Sequence, residues 1–217
     1  MKLSIGVGAV LLAGCFGASG PVAQQGPPPQ IPGGNQSGQA QPSPTITSTL
    51  DFQLSLEERE VLGLAEAMPE DKYSFAPTNG EFQGVRTFAQ QAKHIATVND
   101  RFFAAVLGQP LPAPASQFEA ENGPDSIQTK AQIIEYLRDS FALGHKAIAT
   151  INAENAFVAM KTPPTSFLRT PAAVVIFDCA HTMDHYGQMV EYLRANGVVP
   201  PASRQRPPAN PPSKPSS

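Results

Sequence analysis

Thr170-Pro171-Ala172-Ala173-Val174-Val175-Ile176-Phe177-Asp178-Cys179-Ala180-His181-Thr182-Met183-Asp184-His185 opens a stretch that runs on to Gly197 without another proline. Thr170 has the side chain of an N-cap, and Pro171 suits a first helical position, where no N–H is needed. Gly197 suits the residue just past a last turn. The spacing predicts one uninterrupted helix through Ala172 to Ala195. His181 and His185 are four apart, so they share a face about one turn (~5.4 Å) from each other, and both imidazoles can reach one ion. Only four histidines occur in the chain. A third, His94, falls in another long helical run, Gln90-Gln91-Ala92-Lys93-His94-Ile95-Ala96. Three histidines from two helices is the ligand number of a metal site that keeps a position for water or substrate. A chance pair on a solvated face is the competing reading.

The punctuation around this stretch sets the architecture. The prolines between 48 and 199 fall between four long segments or at a segment's start. The first segment carries Leu50, Leu54, Val61, Ala65 and Met68 at helical spacing and ends at Met68-Pro69. The second opens with Thr87-Phe88-Ala89-Gln90, a capping-box pattern, and stops at Gly108. The third is expected to follow Asp125 or Ser126 as N-cap and repeats Ile127, Ala131, Ile134, Leu137, Phe141, Ile148 and Ile151. No segment alternates like a strand for any length. Four amphipathic helices of roughly 20 to 28 residues predict an all-α, four-helix bundle. In such a bundle His94, one turn before Val98 and two before Phe102, sits on or beside the inward stripe. His181 and His185 line up with Val174, Asp178 and Gln188. Imidazoles placed inside need partners or an ion, because an unpaired buried polar group is costly.

Both ends lie outside this bundle. Met1-Lys2 and the apolar run Leu3 to Phe16 are too short to span a bilayer and read as an export signal within residues 1–23. Leu12-Ala13-Gly14-Cys15 also has the form of a bacterial lipobox, with Cys15 acylated; cleavage after a small residue such as Ala23 is the alternative. Residues 24–47 hold no charge and are rich in Pro, Gln, Gly and Ser, the composition of a tether, and the proline-rich stretch 200–217 reads as a solvated tail. The expectation is an exported protein, either an envelope lipoprotein or a periplasmic or secreted one. The globular part, 48–199, contains all 18 acidic residues against 11 basic ones, a net charge of about −7. That balance, with no basic stripe, excludes nucleic acid as an expected partner and leaves a lipid at Cys15 as the only membrane contact. Cys179 is then a lone thiol, read as a small core hydrophobe, with a pocket thiol or a metal contact as alternatives.

Several motifs occur together in a recognisable order. They are Ala65-Glu66-Ala67-Met68-Pro69-Glu70-Asp71-Lys72-Tyr73, Val85-Arg86-Thr87-Phe88-Ala89-Gln90, and Lys93-His94-Ile95-Ala96. His181-x3-His185-Tyr186-Gly187-Gln188 and Tyr192-Leu193-Arg194-Ala195-Asn196-Gly197-Val198-Val199-Pro200-Pro201 complete them. In this order they resemble the DinB-like superfamily, over Leu50 to Ser203. The resemblance implies an up-up-down-down bundle, often a homodimer, with a divalent metal, nickel or zinc. Its ligands would be His94, His181 and His185. Characterised members include metal-dependent transferases of low-molecular-weight thiols and a mycothiol-dependent isomerase, while many have no known activity. The export signal departs from a role tied to cytoplasmic thiol cofactors. The expected function is therefore an exported metal-dependent transferase or hydrolase of small thiol-related substrates. The alternative is a non-catalytic, envelope-anchored module that binds a metal or ligand.

Other residues are weaker candidates. His145 lies on the inward register of the third helix, as a hydrogen-bonded core or pocket-wall histidine, a group near the metal, or a surface residue. Asp178, three before His181, has the better placement to orient a ligand imidazole, whereas Asp184 reads as solvated. Tyr186 and Gln188 could line the open metal position. No evident general base stands out, and neither a Gly-rich phosphate loop nor a Gly-x-Ser-x-Gly elbow is present.

Overall fold

The computed structural model describes residues 43–112 and 122–204. Cys15, the export-signal reading, the tether up to residue 42 and the tail from 205 onward lie outside the described residues. Within them are four α-helices and two short 3-10 turns, with no strand: α1 (Ile46–Ala67), α2 (Phe88–Leu107), α3 (Lys130–Ile148) and α4 (Pro171–Ala195).

Each start is chemically marked. Thr45, Thr87 and Thr129 accept from the backbone N–H three residues on, and Ser48, Gln90 and Gln132 reach back to complete capping boxes. Thr170 caps α4 without that return bond, and Pro171 fills its first position. Two boundaries differ from the sequence expectation. Helix α1 starts inside the expected tether, because the Thr45–Ser48 box nucleates it there and Thr47 Oγ1 donates to the Ile151 carbonyl, fastening its first turn beyond the end of α3. Helix α3 starts at Lys130 rather than after Asp125 or Ser126: Gln132 accepts from the Thr129 N–H and completes a capping box there, whereas Gln128, three after Asp125, donates to the Asp125 carbonyl instead. Gly108 ends α2 at φ +63, a left-handed conformation that costs a glycine little.

Around the bundle α1 packs on α3 and α4, and α2 packs on the same two. Consecutive helices α1 and α2 therefore sit across from each other, as do α3 and α4, and segments 68–87 and 149–170 are long crossing connections rather than hairpin loops. Leu54, Leu64, Ile95, Phe103, Phe141 and Met189 are fully buried between the four helices. Each such side chain contributes about 1.5–3 kcal/mol, so the apolar interior holds the bundle without help from the histidines. No helix of the described residues is long and apolar enough to cross a membrane.

Candidate metal centre

The α2–α4 contact brings His94, His181 and His185 together. Nε2 of His94 lies 3.0 Å from Nε2 of His181. Nε2 of His185 lies 3.1 Å from the same atom. One ligand atom from each residue falls within 4.8 Å of the other two. His185 is buried and the other two are half-buried. Helical spacing supplies the pair on α4, and the packing of α2 supplies the third.

Electrostatics keep the two imidazoles of α4 neutral. Burial pushes His181 down to about 3, and the neighbouring His185, His94 and Arg86 push the same way against Asp184. Burial likewise brings His185 down to about 4, with His94 and Arg86 contributing. Neutral imidazole is the form that binds a metal.

The proton positions argue for an ion. His185 Nδ1 lies 2.6 Å from Gln91 Oε1, which only accepts, so the ring proton is on Nδ1 and Nε2 presents its lone pair. His181 Nε2 must then face two ring nitrogens at once, yet it offers either one proton or one lone pair. Whichever tautomer His181 adopts, one contact stays poorly matched, and its buried Nδ1 has no partner among the described residues. A cation accepting all three lone pairs removes the conflict. An ion at about 2.0–2.1 Å from tetrahedral nitrogens sets them roughly 3.3 Å apart, close to the separations seen. The three residues fit a divalent ion.

A polar relay orients the deepest ligand. Gln91 accepts from His185 and donates through Nε2 to Gln188 Oε1 at 2.8 Å. Gln188 Nε2 in turn donates to Asp184 Oδ2 at 2.9 Å. Asp184 thus reaches the metal centre through two amides, and Gln188 is engaged in this relay. Gln91 was missed by sequence reasoning. It lies three residues before His94 and hence on the same face of α2, which is the signal that could have found it.

Other expected candidates lie elsewhere. His145 is not at the cluster: its Nδ1 is 2.6 Å from Asp51 and its Nε2 3.2 Å from Glu58, both on α1. Asp178 is fully buried, but neither oxygen meets a ligand histidine or any other hydrogen-bond partner among the described residues. Burial, and then Glu57, raises its carboxyl well above the usual range. Cys179 is half-buried outside the ligand set, against core side chains and Glu57, and burial raises its thiol. Tyr186 donates to Glu60 on α1 at 3.1 Å.

The DinB superfamily model matches residues 53–189, and the three histidines fall inside that range. Among solved structures, a DinB-like protein from Bacillus cereus superposes with a TM-score of 0.56 at 15% identity, covering 72% of this chain and 96% of that one. A conserved protein from Enterococcus faecalis gives 0.56 at 14% identity, over 70% and 97%. An uncharacterised protein from Escherichia coli gives 0.53 at 11%, over 71% and 96%. At such identities these likenesses establish the fold alone. A search of curated proteins finds no match.

Proposed function

The chain belongs to the DinB superfamily, and from that premise we propose that it binds a divalent metal through His94, His181 and His185 and acts on small thiol-related substrates as a transferase or hydrolase. The observation that carries the reading is the meeting of three imidazole nitrogens, with His185 already held in its ligating tautomer by Gln91. Three protein ligands are the number found where a metal keeps a position for an exogenous group. A bound divalent ion supplies Lewis acidity and lowers the pKa of a thiol or water that joins it. The chain's own residues set the conditions. Burial keeps His181 and His185 unprotonated at neutral pH, Gln91 and Gln188 fix one ring, and zinc or nickel suits the all-nitrogen set.

The test is metal analysis of purified, untagged protein, followed by a thiol-transfer and hydrolase screen. One equivalent of metal is expected, lost in His181→Ala, because two remaining ligands form a weak chelate. Full occupancy in that variant would reject the site. The sequence alone supports export, with Cys15 acylated. Radioactive fatty acid should label the wild type in cells and not Cys15→Ser; an unlabelled wild type would leave simple secretion.

A further inference from the structure

Helix α4 is apolar on two sides. Its inward side chains fill the core, yet Ile176, Phe177 and Met183 point outward, 60%, 39% and 39% exposed. Phe177 is one turn before His181 and its ring lies nearly parallel to that imidazole, at 13° with centroids 6.5 Å apart. From there an aromatic row leads away from the metal centre. Phe102 of α2 meets Phe177 edge-on at 5.9 Å, and Phe167 of the 149–170 connection meets it at 5.6 Å. Phe102 is buried, but Phe167 is 64% exposed. Val98, one turn after His94, packs half-buried beside Phe102, Leu168 and Val174. The segment presenting Phe167 is fastened: Arg101 Nη2 donates to the Pro164 carbonyl at 3.0 Å, and Met160 N–H donates to the Arg169 carbonyl at 2.8 Å.

Two aromatic side chains held in place and left open to solvent beside a ligand histidine form a rim on one side only. Across His181 the same face of α4 continues as Asp184 and Gln188, both exposed and polar. Small-molecule sites combine an apolar, aromatic wall with a few polar groups that fix the head. We propose that Phe177 and Phe167 form a subsite for an aromatic or similarly flat apolar arm of a ligand whose polar head joins the three-histidine centre. The inference rests on the metal reading above and adds to it the class of substrate. The exposed part of the Phe177 ring, parallel to His181, takes the arm, and Phe167, in edge contact with Phe177 and itself exposed, extends the same apolar surface. Ligands with a short or purely polar arm gain nothing from this rim.

The probes are acetohydroxamate and benzohydroxamate, which share a metal-binding head and differ in the arm. Each is titrated by visible absorption into the full-length protein loaded with cobalt(II). Wild type should prefer benzohydroxamate by on the order of tenfold, the scale of a favourable aromatic contact plus buried area. In Phe177→Ala and in the loop variant Phe167→Ala that preference should fall to within about twofold, with cobalt stoichiometry and acetohydroxamate affinity unchanged. Phe157→Ala, at a 74% exposed ring outside the aromatic row, should keep it. An equal preference in wild type and Phe177→Ala, both cobalt-loaded, overturns the subsite and leaves the metal centre standing. Absence of cobalt uptake by wild type overturns the metal reading and the subsite with it. If Phe177→Ala instead turns a dimer into monomers in sedimentation, the rim is an interface between copies, and the ligand assignment falls.

Discussion

Replacing Gln91 isolates the polar relay from the metal ligands. Gln91 is 2% exposed, and its Oε1 is the acceptor 2.6 Å from His185 Nδ1. In Gln91→Leu the side chain keeps comparable bulk but loses that acceptor, so nothing holds the His185 proton on Nδ1. The proton can then move to Nε2, where it must be displaced before the ring can ligate. Removing an outer hydrogen-bond partner of a ligand histidine costs roughly 10- to 100-fold in metal affinity, about 1.4–2.7 kcal/mol. Gln91→Glu has the opposite sign. It retains the acceptor as a carboxylate, strengthens the imidazole as a donor to metal, and should bind at least as tightly as wild type. Competition against a chromophoric zinc chelator at pH 7.5 measures both variants, with far-UV circular dichroism confirming the helices. A folded Gln91→Leu protein within twofold of wild-type affinity would refute the argument that this bond sets the ligating tautomer.

Chelation should lower the melting temperature without unfolding the helices, because the apolar core holds the bundle; at a free metal concentration of 100 times Kd the loss is about 2.7 kcal/mol, and an unchanged melting temperature on full metal removal would exclude a bridging ion. Burial pushes the Asp100 carboxyl up to about 7, with Asp139 adding and Tyr136 opposing. A raised carboxyl contributes stability that is present below its unfolded value near 4 and lost as pH rises through the folded value, on the order of 4 kcal/mol across that window. Asp100→Asn should flatten this part of the urea-denaturation profile between pH 4 and 7. His145 is raised by its bonds to Asp51 and Glu58, which outweigh burial, so its link between α3 and α1 is complete below about pH 6.5 and fades as pH climbs through the higher folded value; His145→Gln should lose stability at pH 5.5 and little at pH 9. A Cβ at Gly144 would stand 2.7 Å from Phe103 and 2.8 Å from Leu54, so Gly144→Ala should cost about 1–3 kcal/mol by overpacking, read from the same denaturation curves.

The bundle was legible because its signals are local. Thr87 with Gln90, Thr170 with Pro171, and Gly108 each act within one turn, and apolar spacing tells which side of a helix faces inward. The start of α3 went astray because the segment before it offers several plausible caps; Asp125, Ser126 and Thr129 all carry suitable oxygens, and Gln128 stands three after Asp125 just as Gln132 stands three after Thr129. The start of α1 went astray because charge-free composition resembles a linker, while a capping box needs only Thr45 and Ser48.

For the site, spacing in one dimension found what one helix arranges and missed what two helices arrange. His181 and His185 are set by α4 alone, and adding His94 required only that α2 face α4. Asp178 shares the α4 face with His181 by the same spacing, yet its carboxyl is enclosed with Glu57, whose position is fixed by where α1 packs. His145 is a similar case: three residues before Ile148 it reads as inward, but the register of α3 against α1 places Asp51 and Glu58 on its two nitrogens. Gln91 and Phe177 take their roles from the α2–α4 contact itself. A glutamine three before a ligand histidine and a phenylalanine four before another are ordinary on a helix. Opposed across this contact, one can fix the ring that binds the ion and the other can wall the space in front of it.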